Sequence, residues 1–600
     1  SLRLTNPAFS EFDETMASLD GSGLYATTLE ASTPSPVAPR QPNALDHQHG
    51  KKKGGDDHKH RPLRIDFKGL MARAVHLPVP AGNIANVVAS NGVVFYTTQP
   101  NPVLGGHLTG EKPQLRAYNL KKRKDMTLDE GGHGLMLSAN GSTLLYQSKG
   151  KWVLRPAKFN KHAKDQTLSL AHVRRWVQPR AEWATSFGEA WRHVRDYFLN
   201  PDLIKSRWAT IGERYRRLLP LAASRNDVTW LIANMMGTYG ESHMYIRGGH
   251  PYHGRRSPAN TTADLGANFA LDSGSGRYKL SRIYRGDNTI PGYRAPLAQP
   301  GLKVAVGDYV LAINGHELKA PMNPYELLNG TYGTTVSLRL SRHASGRDAW
   351  TIRVKPVANA AKLHLMAWIR HNREEVNKLS DGKIGYVYLE DMGATGMHEF
   401  IRQYYSQTRK QAIVFDDRWN LGGFIDPFLF DRIDRQLAAM FTNRYGWYNP
   451  TPNAFHGYMA ALFNRGSASD GDIFAYMFKK DHLGPTIGSR TWAGVRGEDG
   501  PFPLLDGVDQ IVSDDGMYGL NSKWVVENIG VSPEITVHDK PGQLNRGYDA
   551  QLQTAVHILM KKIKTAPRHL PPPPAWTPAF PPQPHYPKCT DSMNNTTCGH

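Results

Sequence analysis

The chain predicts a multidomain α/β protein, on the strength of three stretches with different periodicities. From Leu63 to about Pro156, short alternating runs such as VVFYTTQ, LRAYNL and STLLYQSKGKWVL are separated by Gly and Asn turns, the pattern of antiparallel sheet. From Arg180 to Gly249 large apolar residues recur at helical spacing. From Ile384 onward strand-like and helix-like stretches alternate, the order of an α/β core.

The length of 600 residues suggests about four domains. Residues 1–61 are expected to be a disordered N-terminal segment and linker. Its second half, from residue 31, is rich in Pro, Gly, Lys and His with almost nothing to bury. The histidines there, His47, His49, His58 and His60, have no acidic or cysteine ligand set at a fixed spacing, which favours a solvated linker over a metal site. Residues 62–160 supply about four strands, one blade's worth of a β-propeller. Such a partial propeller-like sheet cannot bury both its faces alone.

Residues 170–255 are assigned to a helical domain. Trp183, Phe187, Trp191, Val194 and Phe198 form one apolar stripe, and Leu231, Ile232, Met235 and Met236 a second within Val228 to Tyr239. That second helix ends at Gly237 to Gly240, directly before Glu241-Ser242-His243-Met244-Tyr245. His243, on a loop after a helix, is free to point into a cleft, although a lone histidine is more often structural.

Residues 262–357 alternate strand patterns around GDYVLAING at 307–315, which resembles a PDZ domain: Gly-Asp turns into a strand and Asn-Gly makes a tight hairpin after it. Such domains add a peptide as an extra strand.

Residues 358–565 form the α/β core. Strands are expected at Ile384 to Leu389 and Ala412 to Phe415, with a helix near Met397 to Gln407 between them. The loop Asp416-Asp417-Arg418-Trp419-Asn420-Leu421-Gly422-Gly423 leads to a helix that turns Ile433, Leu437 and Met440 inward. The stretch from Ala460 to Thr491 then runs from an apolar strand through small residues into a helix with Ile473, Phe474, Met477 and Phe478 on one stripe, ended by Gly484 and Pro485. Ser469 therefore sits at a helix N-terminus, where unpaired N–H groups favour an alkoxide or a tetrahedral oxyanion; a plain helix cap at Ser469 or Asp470 is the other reading of this loop alone. Glu527 closes the apolar run Trp524-Val525-Val526, and a final helix spans Asp549 to Ile563. Residues 566–600 are a Pro-rich tail in which Cys589 and Cys598, the two cysteines of the chain, could close only a small loop.

The net charge of +20 is spread along the chain without any nucleic-acid motif, so no nucleic-acid partner is expected. No apolar run is long enough to cross a bilayer, so no membrane partner is expected either. A cytoplasmic location is the expectation, with the periplasm as the alternative should a signal peptide precede Ser1.

Taken together, PRAEW from Pro179, SHMY from Ser242, the GDYVLAING core, RWNLGG from Arg418, SDGD from Ser469 and VENIGVSPE from Val526 resemble the tricorn protease family, within the C-terminal processing peptidases. The resemblance covers residues from about 62 to 585. It implies a serine peptidase core acting on peptides or unfolded polypeptides, with no metal or cofactor, and self-association into a homo-oligomer. It also implies Ser469 as nucleophile, His243 as general base, Ser242 and Glu527 as the relay behind the imidazole, and the N–H groups of Asp470 and Gly422 as the oxyanion hole. Relatives with a Ser and Lys pair carry a lysine in a Thr-Phe-Gly-Lys-Gly segment. Here that segment reads Thr491-Trp492-Ala493-Gly494-Val495, so Gly494 stands in place of the lysine and the base must come from elsewhere, which favours His243. Two departures are Leu421, where tricorn-like chains have a first glycine, and Arg465, where an acidic residue is common. The alternative function is a non-catalytic PDZ-type scaffold that binds peptide ends.

Overall fold

The computed structural model describes residues 6–10, 15–38, 64–103, 106–107, 110–174, 176–248, 261–288, 290–444, 446–451 and 454–575. They fall into two compact units, Ser1–Pro179 and Arg180–His600.

The first unit holds two four-stranded antiparallel sheets where the sequence suggested one. Asn83–Ser90, Val93–Gln99, Gln114–Asn119 and Lys124–Glu130 are successive neighbours in the first, and His133–Leu137, Thr143–Ser148, Lys151–Pro156 and Gln166–Leu168 in the second. Neither sheet buries its apolar face alone. Phe95, Leu115 and Ala117 of one share a core with Leu135, Leu144 and Tyr146 of the other. Part of the N-terminal segment expected to lack order is built in. Tyr25–Ala26 pairs with Val75–His76, and Leu24 is buried with Leu77, Tyr96 and Tyr118, apolar partners that lie outside the Pro- and Lys-rich run. Most of that run, with His47, His49, His58 and His60, lies outside the described residues, as do Cys589 and Cys598.

The second unit opens with three helices, α1 (Pro179–Tyr197), α2 (Pro201–Arg216) and α3 (Arg225–Met236). Asn200 caps α2, and Ser224 and Asp227 form a capping box on α3. The chain then leaves helix for a short strand, β1 (Tyr245–Arg247). A six-stranded antiparallel sheet follows, with β2 (Ala267–Asp272), β3 (Arg277–Ile283), β4 (Tyr309–Ile313), β5 (Val336–Ser341) and β6 (Trp350–Val354) in that order and His316–Glu317 folded back on β4. The expected hairpin is present: Asn314 and Gly315 both take positive φ, at 51° and 83°, between the paired Ile313 and His316.

The α/β core is a five-stranded, all-parallel sheet, β7 (Ile384–Tyr388), β8 (Ala412–Asp416), β9 (Tyr458–Phe463), β10 (Thr486–Gly488) and β13 (Ile535–Thr536). Its strands are buried on both faces, which is why they read as continuous apolar runs. Tyr386, Val414, Ala460 and Leu462 pack against α4 (Ala361–Leu379) and α8 (Ala550–Thr565). On the opposite face Phe415 meets Phe474 and Phe478 of α7 (Asp470–Lys480), and Phe474 meets Phe430 of α6 (Asp426–Ile433). α5 (Ala394–Tyr404) adds Tyr404 beside Phe415.

Helix α6 ends at Ile433, short of the Leu437 and Met440 expected on it. The chain instead enters Ala439–Asn443, paired with Gly446–Thr451, so that Met440 lies in a β-hairpin and Leu437 in the connection before it.

Between β10 and β13 a hairpin of β11 (Asp499–Pro503) and β12 (Asp509–Val512) projects from the core. β12 pairs with β1, matching Tyr245 to Ile511 and Arg247 to Asp509. Leu504, Val508 and Val512 complete the helical core of Phe187, Trp208, Ile232 and Met236. Gln510 is buried against α1, with Nε2 donating to Ala190 O at 3.0 Å. This pairing carries the segment after α3 to the C-terminal edge of the parallel sheet.

Candidate active site

Ser469 sits between β9 and α7 with φ 56° and ψ −121°, a backbone conformation that L-residues rarely occupy. Three contacts hold the turn. Ser469 N–H donates to Gly494 O at 3.0 Å, Ala468 N–H to Asn420 O at 2.8 Å, and Ser467 Oγ to Asp417 O at 2.8 Å. The side chain is thereby lifted off the helix axis: it makes no capping bond.

His243 also has positive φ, 59°, and is 6 % exposed. Its Nε2 lies 2.9 Å from Ser469 Oγ, although 226 residues separate the two. Its Nδ1 lies 2.8 Å from Ser242 Oγ. Ser242 Oγ donates to Glu527 Oε2 at 2.9 Å and Ser242 N–H to Glu527 Oε1 at 2.8 Å. Glu527 is 5 % exposed and also accepts from Val495 N–H at 2.7 Å.

These bonds fix the proton inventory. Ionised Glu527 only accepts, so the single hydroxyl hydrogen of Ser242 points to it. Ser242 Oγ must then accept from the imidazole, which places the ring hydrogen on Nδ1 and the lone pair of Nε2 toward Ser469. Burial holds the His243 imidazole below its ordinary basicity, against a smaller opposing pull from Glu498, Glu527 and Asp515.

No side chain would fit at Gly494. A Cβ on it would stand 2.7 Å from Ser242 Cβ and would crowd the Trp492 ring. Asp472 of α7 clamps this segment from below, accepting Ala493 N–H at 3.0 Å and Gly494 N–H at 3.2 Å.

Of the two expected oxyanion donors, Asp470 opens helix α7, directly after Ser469. Its carboxyl is buried and raised well above the usual range by burial and by Asp426 beside it. Gly422 lies against Ser469, since a Cβ there would come 2.5 Å from Ser469 Cβ and 2.8 Å from Asp470 N. Its own N–H, however, donates to Asn420 Oδ1 at 2.9 Å. Leu421, Phe424 and Trp492, on the two loops that touch the Ser469 turn, are exposed.

The sequence did not single out Asp472, Glu241 or Arg496 for a role. Asp472 lay within the SDGD motif, whereas Arg496 carried no local signal. Among the described residues no group of three or more His, Cys, Asp or Glu side chains could hold a metal ion, and no helix is long and apolar enough to cross a membrane.

Family models agree with this architecture. Those for the tricorn protease C1 domain, the tricorn protease PDZ domain and peptidase family S41 match residues 179–237, 264–359 and 383–537. This domain set is similar to that of tricorn-type serine peptidases. Similar tricorn-type proteins include tricorn protease homolog 1 of Streptomyces coelicolor, 29% identical over 95% of this chain and 54% of its own length. The tricorn protease of Thermoplasma acidophilum is 28% identical over 84% of this chain and 47% of its own length. The crystal structure of the tricorn protease superposes with a TM-score of 0.80 at 26% identity, covering 94% of this chain and 53% of that one. The chain thus spans about half the length of these tricorn-type relatives.

Proposed function

We propose that this tricorn-type peptidase hydrolyses peptides or unfolded polypeptides through a Ser469, His243, Ser242 and Glu527 tetrad and an acyl-enzyme. The observation that carries the proposal is the 2.9 Å approach of His243 Nε2 to Ser469 Oγ, with the ring's other nitrogen bonded to Ser242. Ser469 Oγ attacks the peptide carbonyl carbon as its proton passes to Nε2. The resulting imidazolium keeps its Nδ1–H on Ser242, whose hydroxyl remains on Glu527. Nε2–H then protonates the leaving amine, and the C–N bond breaks to leave an acyl-serine. Water, deprotonated by the same nitrogen, attacks that ester; the C–Oγ bond breaks to release the acid, and Nε2–H returns the proton to Ser469 Oγ.

The oxyanion of each tetrahedral intermediate is met by Asp470 N–H and by Gly422 N–H, which the oxyanion shares with Asn420 Oδ1. Donors of this kind are worth about 3 kcal/mol each.

The reading extends to domain roles. Residues 62–160 act as propeller-blade-like sheets, 170–255 as the domain that brings the base, 262–357 as the peptide-binding PDZ-like module and 358–565 as the catalytic core. Self-association and a cytoplasmic place of action complete the proposal, by likeness to the tricorn relatives.

The deciding experiment is fluorophosphonate labelling followed by mapping of the adduct. Label on Ser469, lost in Ser469→Ala and accompanied by loss of peptide hydrolysis, is the expected result. Equal labelling of that variant would remove the proposal.

A further inference from the structure

Arg496 is 8 % exposed and lies beside the tetrad without belonging to it. Its Nε donates to Glu241 Oε2 at 2.6 Å, and its guanidinium carbon stands 5.0 Å from the centre of the Trp524 ring. A buried arginine needs a slot, and Gly516 supplies it: any Cβ there would overlap Nη1. Both ends of this ion pair adjoin catalytic groups. Glu241 directly precedes Ser242 and His243. Val495 and Arg496 place two consecutive backbone N–H groups on the relay, one on Glu527 Oε2 at 2.7 Å and one on Ser242 Oγ at 3.3 Å. The pair thus joins segments 255 residues apart at the point where Ser242 must meet Glu527.

We infer that Arg496, through its ion pair with Glu241, is a positioning residue that holds the Ser242 hydroxyl in line between His243 and Glu527; the inference rests on the serine-peptidase reading above. The Arg496 amide takes one acceptor site of Ser242 Oγ, leaving a single site for the imidazole Nδ1–H and the hydroxyl hydrogen for Glu527. If the loop lost its anchor, this oxygen could turn, give its hydrogen to Nδ1 and stabilise the tautomer that cannot accept from Ser469.

Charge adds a second effect. Glu498, Glu527 and Asp515 act on the imidazole electrostatically, with Tyr245 at its edge and Asp472 on the side of Ser469; Glu241 lies behind them. Arg496 is a buried cation paired with Glu241. Its removal leaves Glu241 unpaired and the surroundings of His243 more negative, which favours the imidazolium.

The test is steady-state kinetics across pH on Arg496→Gln, Arg496→Lys, Glu241→Gln and the Glu241→Gln/Arg496→Gln double variant, with rates divided by the active-site concentration titrated with a fluorophosphonate. Arg496→Gln should lower kcat roughly tenfold or more with KM within about twofold, because an interaction behind the reacting groups is lost and not one with substrate. Its acidic limb should move to higher pH. Arg496→Lys should return the limb to its original position and recover part of kcat. The double variant should be no slower than Arg496→Gln, since both single changes break one contact.

An unchanged kcat and acidic limb in Arg496→Gln would overturn the inference. So would losses that add in the double variant, or a loss that vanishes once only titratable sites are counted. A parent protein that takes no label at Ser469 would instead sink the serine-peptidase reading, and this inference with it.

Discussion

The hydroxyl of Ser242 stands 2.8 Å from Nδ1 of His243, its immediate successor in the chain. Adjacent residues seldom turn their side chains toward each other in regular structure. Here the positive φ of His243 brings the ring back over Ser242. A serine thus takes the place that a carboxylate holds behind the histidine in the Ser-His-Asp arrangement, with Glu527 one bond further away.

Ser242→Ala should therefore leave the imidazole with no partner at Nδ1 while Nε2 still faces Ser469. A fall in kcat of about 10²–10⁴ is expected, by analogy with losing the orienting group of a triad. Peptide hydrolysis and the rate of fluorophosphonate labelling should fall together, and an unaffected labelling rate would count against the relay.

The pH dependence has a definite sign. Burial lowers the His243 pKa, so the ring stays neutral, and competent as a base, below the ordinary imidazole value of 6.5. The acidic limb of kcat/KM should lie below that value. For stability, the unfolded chain binds the extra proton first. The contribution of His243 is present above pH 6.5 and is lost as pH falls through its folded pKa. Imidazole proton shifts followed by NMR titration would measure it directly.

Asp470 runs the other way. Its raised carboxyl pKa means that the folded chain holds a proton the unfolded chain has released, so stability falls as pH rises above 3.8 through the folded value. Asp426→Asn removes the like charge beside it and should flatten this decline, as read from thermal melts at several pH values.

Gly422→Ala and Gly494→Ala test close packing. The first places a methyl group 2.5 Å from Ser469 Cβ on a backbone with φ 93°. The second places one 2.7 Å from Ser242 Cβ. Overpacking of this sort costs about 1–3 kcal/mol, so both variants should melt earlier and lose turnover. Phe474→Ala, by contrast, empties the contact with Phe415, Phe430 and Phe478 on the sheet-facing side of α7. It should cost about 3–5 kcal/mol of stability, while folded enzyme keeps its turnover.

The buried parallel strands were legible because β7 and β8 are apolar on both faces, and α7 because its apolar stripe recurs at helical spacing. Met440 misled for the same reason: spacing alone does not distinguish a helix from a strand that turns back on itself. Of the site, Ser469 and His243 could be named from their loops and motifs. The engagement of Gly422 N–H by Asn420 and the role of Asp472 could not, because both depend on how loops remote in sequence meet.

The pairing of β1 with β12 has a consequence for the making of the protein. Synthesis delivers the imidazole early, yet the strand that docks it, and Glu527 after that, are completed more than 250 residues later. On the proposed mechanism a growing chain holds an idle histidine, then an idle serine, until the late hairpin docks onto the early strand. Any fragment that ends before this hairpin lacks, on the same mechanism, both the strand that docks His243 and the Glu527 carboxylate.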